Sequence, residues 1–113
     1  MTLNLDGKRF TIVSNSAGDA KPGETLFQFE QSGNAVRATY SGGGVALGSM
    51  VGTISAEGLV EVLFSQVSSN GELKGGQGRM KAEMNEDGKL GFVDDWSFLI
   101  NATGTGRAIW SEI

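Results

Sequence analysis

The run from Tyr40 to Met84 constrains the fold more than any other part of the chain. It reads as three apolar strands, Val45 to Ser55, Leu59 to Ser68 and Glu72 to Met84. Glycine turns surround and separate them: Gly42-Gly43-Gly44, Ala56-Glu57-Gly58, Ser69-Asn70-Gly71 and Asn85-Glu86-Asp87-Gly88. Connections this short reverse the chain only between antiparallel neighbours, because a parallel pairing needs a crossover of about a dozen residues or more. The run is therefore a meander. Turn glycines at 33, 43, 58, 71, 88 and 104 lie 10, 15, 13, 17 and 16 residues apart, room for one strand and one turn each time.

Alternation of apolar and polar residues adds five more strands: Lys8 to Ser14, Thr25 to Ser32, Ala35 to Ser41, Lys89 to Phe98 and Thr105 to Ile113. Eight sequential antiparallel strands leave two open edges, and pairing the first strand with the last removes both. The expectation is an all-β chain, a single domain over residues 1–113, folded as an eight-stranded antiparallel up-and-down meander barrel. A β-sandwich of the same strands is the main alternative. Arg79 to Glu83, with Met80 and Met84 four apart, has good helix formers but is too short to hold a helix alone. Asn15 to Gly23, with the one proline, is the longest loop, either a surface connection or a lid over the barrel mouth.

Composition narrows the function. A net charge of -4 and a pI near 4.7 argue against nucleic acid or an anionic membrane as partner. The absence of cysteine and histidine removes the thiolate nucleophile, the usual general base and the commonest metal ligands, so no cofactor or metal is expected. Charges at Asp6, Lys8 and Arg9 interrupt any signal-peptide pattern, and no apolar window reaches the length of a spanning helix. The expected location is the cytoplasm.

Strand side chains alternate, so each strand offers two inward sets. Aromatic content selects Phe10 and Ile12; Phe27, Phe29 and Gln31; Val36, Ala38 and Tyr40; and Leu90, Phe92, Asp94, Trp96 and Phe98. On the fifth strand Val60, Val62, Phe64 and Gln66 are the bulkier choice, and the last strand contributes Ala108, Trp110 and Glu112. The sixth strand is settled by charge: burying Arg79, Lys81 and Glu83 would cost roughly several kcal/mol per unpaired ion, so Gly76, Gly78, Met80 and Met84 turn inward. Gly48 and Gly52 on the fourth strand are expected to join them. Such glycines either receive large side chains from across the barrel or leave room for a ligand.

The ligand reading selects Tyr40, Gln66, Asp94, Trp96, Trp110 and Glu112 as lining residues, a few convergent polar groups among apolar ones. Asp94 and Glu112, on neighbouring strands, also invite comparison with a general acid and base. Two acids alone are a thin basis for catalysis, so binding of a small apolar or amphipathic molecule stands first. A filled-core structural or interaction module forming a homodimer stands second, and an enzyme third. An exposed apolar outer face on Leu47, Val51 and Ile109 would favour the second. The Gly75-Gly76-Gln77-Gly78 and Gly104-Thr105-Gly106 segments lack the strand-to-helix setting and the lysine of a phosphate loop, and Asn85 to Gly88 lacks the spacing of a calcium loop.

The segments Tyr40-Ser41-Gly42-Gly43-Gly44, Ser65-Gln66-Val67, Gly71-Glu72-Leu73, Asp94-Asp95-Trp96 and Ser111-Glu112-Ile113, with Gly48 and Gly52, carry a resemblance across nearly the whole chain. The chain resembles a family of small bacterial β-barrel proteins, many of which bear the label N-acetylglutamate synthase. The resemblance implies a compact barrel of lipocalin or avidin kind and no particular activity. It departs from the family at Gly78, where cysteine is common, and at Phe98, where tryptophan is common. A synthase of that name resembles the acetyltransferase fold, with a Gln/Arg-x-x-Gly-x-Gly/Ala loop between strand and helix. No Gln or Arg of this chain is followed by that spacing.

Overall fold

A computed structural model describes residues 3–113 and shows eight strands: β1 (Arg9–Asn15), β2 (Leu26–Ser32), β3 (Ala35–Gly42), β4 (Val45–Ile54), β5 (Leu59–Ser68), β6 (Leu73–Met84), β7 (Leu90–Ile100) and β8 (Thr105–Glu112). They run in sequence order around a closed barrel, with β1 pairing antiparallel to both β2 and β8. Closure excludes the sandwich, and Arg79 to Glu83 lies in β6, paired with Asp95 to Gly91 of β7.

The inward sets follow the alternation. Phe10, Phe29, Phe92, Met80 and Val60 are fully buried and fill the lower half of the barrel, where Phe10 meets Phe29 edge to face at 5.5 Å. Phe27, Tyr40, Trp96 and Met50 are buried in the upper half, with Phe64 and Phe98 packed against them. Phe27 links the halves: it stacks on Tyr40 at 4.8 Å and lies 3.9 Å from the Trp110 ring. A register shift between Val45 and Leu47 brings Val45 inward as well as Gly48 and Met50. Met84 departs from expectation, being 65% exposed, because β6 runs on past the base and its last inward-phased residue has no barrel beneath it. Of the three outer residues whose exposure would favour an interaction module, Leu47 and Val51 are exposed and Ile109 is half-buried.

The seam between β1 and β2 is the shortest in the barrel, three residue pairs from Arg9 to Thr11. Above Thr11 the chain leaves β2 and stays with β8, and Ser16 prolongs that pairing by bonding Arg107 in both directions. Residues 16–25 then form a strap that crosses the mouth and returns to β2. It is tied down by Gly23 N–H to the Ile12 carbonyl at 3.0 Å and by Gly44 N–H to the Asp19 carbonyl at 2.8 Å. Thr25, fully buried, donates to the Gly42 carbonyl and accepts from the Lys21 N–H. Gly42 has φ 106° and passes so close to the Glu24 carbonyl that any Cβ would collide with it, so only glycine serves there. The long loop is thus a lid.

Candidate mouth site

Three glycines, Gly48, Gly76 and Gly106, are seats for rings, whereas Gly78 faces Asp94 and Val62 and Gly52 faces Val62 and the Glu61 carbonyl. A Cβ on Gly48 would enter the Tyr40 ring, one on Gly76 would meet Phe64, and one on Gly106 would enter the Trp96 indole. Trp96 is also pressed from above by Gly18 of the strap. The volume released by these three is therefore occupied by aromatic side chains from neighbouring strands, and what remains between the rings is a cavity of about 50 Å³. Its walls include Tyr40, Gln66, Asp94, Trp96 and Trp110, with Asp19 above. That volume admits a few waters but falls short of the roughly 150 Å³ that accepts a benzene ring.

Five of the six residues selected from sequence meet at this cavity. Tyr40 donates its hydroxyl to Gln66 Oε1 at 2.8 Å, and Gln66 Nε2 donates to Asp19 Oδ2 at 3.0 Å. Trp96 Nε1 donates to Asn15 Oδ1 at 3.1 Å, and the Asn15 amide donates on to the strap carbonyl of Ala20 at 3.0 Å. Burial, reinforced by the charges of Asp94 and Asp19, pushes the Tyr40 phenol well above its usual range, so it stays protonated and remains a donor.

Asp94 lies deeper, 7% exposed, beneath Trp96 on β7. Burial first, and then the neighbouring Asp95, push its carboxyl up to about 7, against a smaller opposite pull from the Trp110 indole N–H. That pull marks an approach of the two side chains short of a well-formed bond: Asp94 Oδ1 and Trp110 Nε1, both cut off from solvent, make no hydrogen bond of good geometry. A buried polar atom without a partner typically costs about 1–3 kcal/mol, and here a donor and an acceptor offset only part of that cost through their poorly aligned approach to each other. Asp95 points the opposite way, outside the barrel, where its pairing with Arg107 at 2.8 Å holds its carboxyl below the usual range.

Glu112 does not join this group. It pairs with Phe10 at the base, whereas Asp94 pairs with Ala108, four residues up the same strand. At the rise of a strand that is about 13 Å, too far for two carboxyl groups to act on one bond. Glu112 instead accepts the Leu90 N–H at 3.1 Å and pairs with Lys8 at 3.2 Å; these contacts hold its carboxyl below its usual range. Gln31, also inward, lies at the base too, bonding the backbone of Leu3, Leu5 and Gly33.

Sequence reasoning missed Lys74, Asp19 and Asn15. Lys74 is two residues before Gly76 and shares its inward phase, a signal present in the alternation. It sends its ammonium to Asp19 Oδ2 at 3.0 Å and over the Phe98 ring, 5.5 Å from the centroid. Asp19 had no periodicity to reveal it, because it belongs to the strap.

An eight-stranded closed meander with an aromatic cavity at one end has a counterpart among known families. The model of the avidin-like proteins matches residues 3–113, nearly the whole chain. The chain belongs to the avidin-like family. No curated protein and no solved structure matches it. As an avidin-like barrel it has the architecture of a small-molecule binder, with a cavity at the strapped end.

Proposed function

We propose that this avidin-like barrel binds a small amphipathic molecule at the strapped mouth, with Tyr40, Gln66, Asp94, Trp96 and Trp110 as its lining. The observation that carries the reading is the poorly satisfied buried pair, Asp94 Oδ1 and Trp110 Nε1, on residues that line an aromatic cavity. A ligand group offering a donor and an acceptor, such as an amide or urea edge, would satisfy both, and the rings of Phe27, Phe64 and Trp96 would cover its apolar part. Family membership supports the class of ligand, and biotin-like molecules are the first to assay. Native mass spectrometry of protein purified from its own host provides the test. Retention of a small molecule by the native chain and its loss in Asp94→Ala is the expected result. A ligand-free mass, together with no binding of biotin-like compounds by calorimetry, would overturn the reading. Binding of acetyl-CoA would instead restore the synthase label.

A second reading, association of copies through the outer wall, is favoured by one observation. Leu47, Val51, Leu63 and Leu73 are all more than half exposed on adjacent strands β4 to β6, in two rows: Leu47 pairs with Val67 and Val67 with Leu73, while Val51 pairs with Leu63. Sedimentation velocity of Leu63→Glu against the native chain tests it: a native dimer dissociated by the substitution is expected, and a monomer at all concentrations would overturn it.

A further inference from the structure

The rim of the mouth holds an ion pair of unusual placement. Lys74 is on a barrel strand and Asp19 on the strap, and their side chains are only 15% and 22% exposed. One carboxylate oxygen, Asp19 Oδ2, accepts from both the Lys74 ammonium and Gln66 Nε2, each at 3.0 Å. Gln66 is oriented in turn by the Tyr40 hydroxyl at 2.8 Å, and Lys74 is steadied over the Phe98 ring. The two donors thus belong to the rigid barrel, whereas the acceptor is carried by a loop.

We propose that Lys74 and Gln66 form a carboxylate subsite which Asp19 occupies in the closed state, and that the molecule bound at the mouth carries a carboxylate that takes the place of Asp19. The proposal rests on the reading of the mouth as a small-molecule site. Its physical basis is the size of the cavity together with the burial of the cation. At about 50 Å³ the space under the strap accepts nothing larger than a few waters, so a ligand enters only as the strap lifts. Lifting draws Asp19 away from Lys74, and an ammonium left in so enclosed a place without a counter-charge is strongly disfavoured. An incoming carboxylate restores both the ion pair and the Gln66 hydrogen bond, while the released Asp19 finds water. A neutral ligand leaves Lys74 unpaired, and a cationic one repels it. The subsite therefore selects anions, and Asp19 acts as an internal competitor that lowers apparent affinity by the fraction of molecules it closes.

The test uses the full chain and three aromatic carboxylates, benzoate, phenylacetate and indole-3-acetate, each beside its primary amide. Binding is followed through the indole N–H resonances of Trp96 and Trp110, the two tryptophans of the chain. The carboxylates are expected to bind the native protein more tightly than the amides. Asp19→Asn should tighten acids and amides alike, by about tenfold, because both need the strap lifted, and Lys74→Gln should reduce the carboxylates to the level of the amides. Equal binding of acids and amides by the native chain and by Lys74→Gln would overturn the subsite while leaving the pocket in place. So would the absence of any gain for the carboxylates in Asp19→Asn, which would show that Asp19 does not compete for the Lys74 and Gln66 donors. Failure of all six compounds to move either indole resonance would overturn the pocket and the subsite together.

Discussion

The two ends of the barrel are closed by the same device built from different parts. At the base, the segment before β1 plugs the opening with Leu5, fully buried, and Leu3, and Gln31 holds it through the Leu5 N–H and the Leu3 carbonyl. At the mouth, the strap crosses the opening and Gln66 holds it through the Asp19 carboxylate. The glutamine at the base bonds to backbone, which cannot leave without moving the chain. The glutamine at the mouth bonds to side chains, which exchange partners by rotation. Apolar burial supports the plug, whereas the strap presses only Gly18 and Ala20 onto the rings below. One end is built to stay shut and the other to open.

The largest expected effect falls at the base. Leu5→Ala removes a wholly buried side chain and should lower the free energy of unfolding by about 3 kcal/mol, measured by urea titration. A loss under about 1 kcal/mol would mean that the plug is loose and that the ends do not differ as described. Next is Asp94, between the ends. Its folded pKa of about 7 lies above the unfolded value, so between roughly pH 4 and 7 the unfolded chain binds fewer protons than the native one. Stability therefore falls as pH rises through that window. From pH 5 to 8 the native protein should lose about 3 kcal/mol, and Asp94→Asn should remove the slope. A flat native profile would contradict the buried, poorly satisfied carboxyl on which the mouth site rests.

A direct comparison of the two glutamines comes third. Gln31→Ala strands the Leu5 N–H and should cost about 2 kcal/mol. Gln66→Ala should cost about 1 kcal/mol, since Tyr40 and Asp19 can turn to water. Equal costs in thermal unfolding would dissolve the distinction between backbone and side-chain latches. The smallest effect is kinetic. In native-state hydrogen exchange the strap-linked amides of Gly23 and Gly44 should exchange about tenfold faster than those of Leu5 and Gly7 at the base. Similar protection at both ends would close the mouth as firmly as the plug.

The avidin-like barrel was legible in the chain, because the rules that specify it are local. Glycine turns set the reversal points, and the two-residue period of a strand sorted Phe27, Tyr40, Phe64, Trp96 and Trp110 to the inside, as their burial and packing bear out. The charges of Arg79, Lys81 and Glu83 sufficed to turn β6 the right way. Met84 shows where alternation stops: phase says which face a residue takes, not whether the barrel still extends that far. The acid pair failed for a related reason. Phase placed Asp94 and Glu112 on the inside together, but only the paired registers of β8 with β1 and β7 separate them along the axis.

Strand number, order and facing were thus settled by residues close to one another in the chain. The mouth was settled by residues far apart: Gln66 and Lys74 reach Asp19 across 47 and 55 positions, and Trp96 reaches Asn15 across 81. No period links such positions, because the strap has none and because closing a barrel staggers the strands by an amount that alternation does not encode. Closure brought a loop carboxylate onto a strand ammonium, and with it the feature that decides which end of the barrel opens.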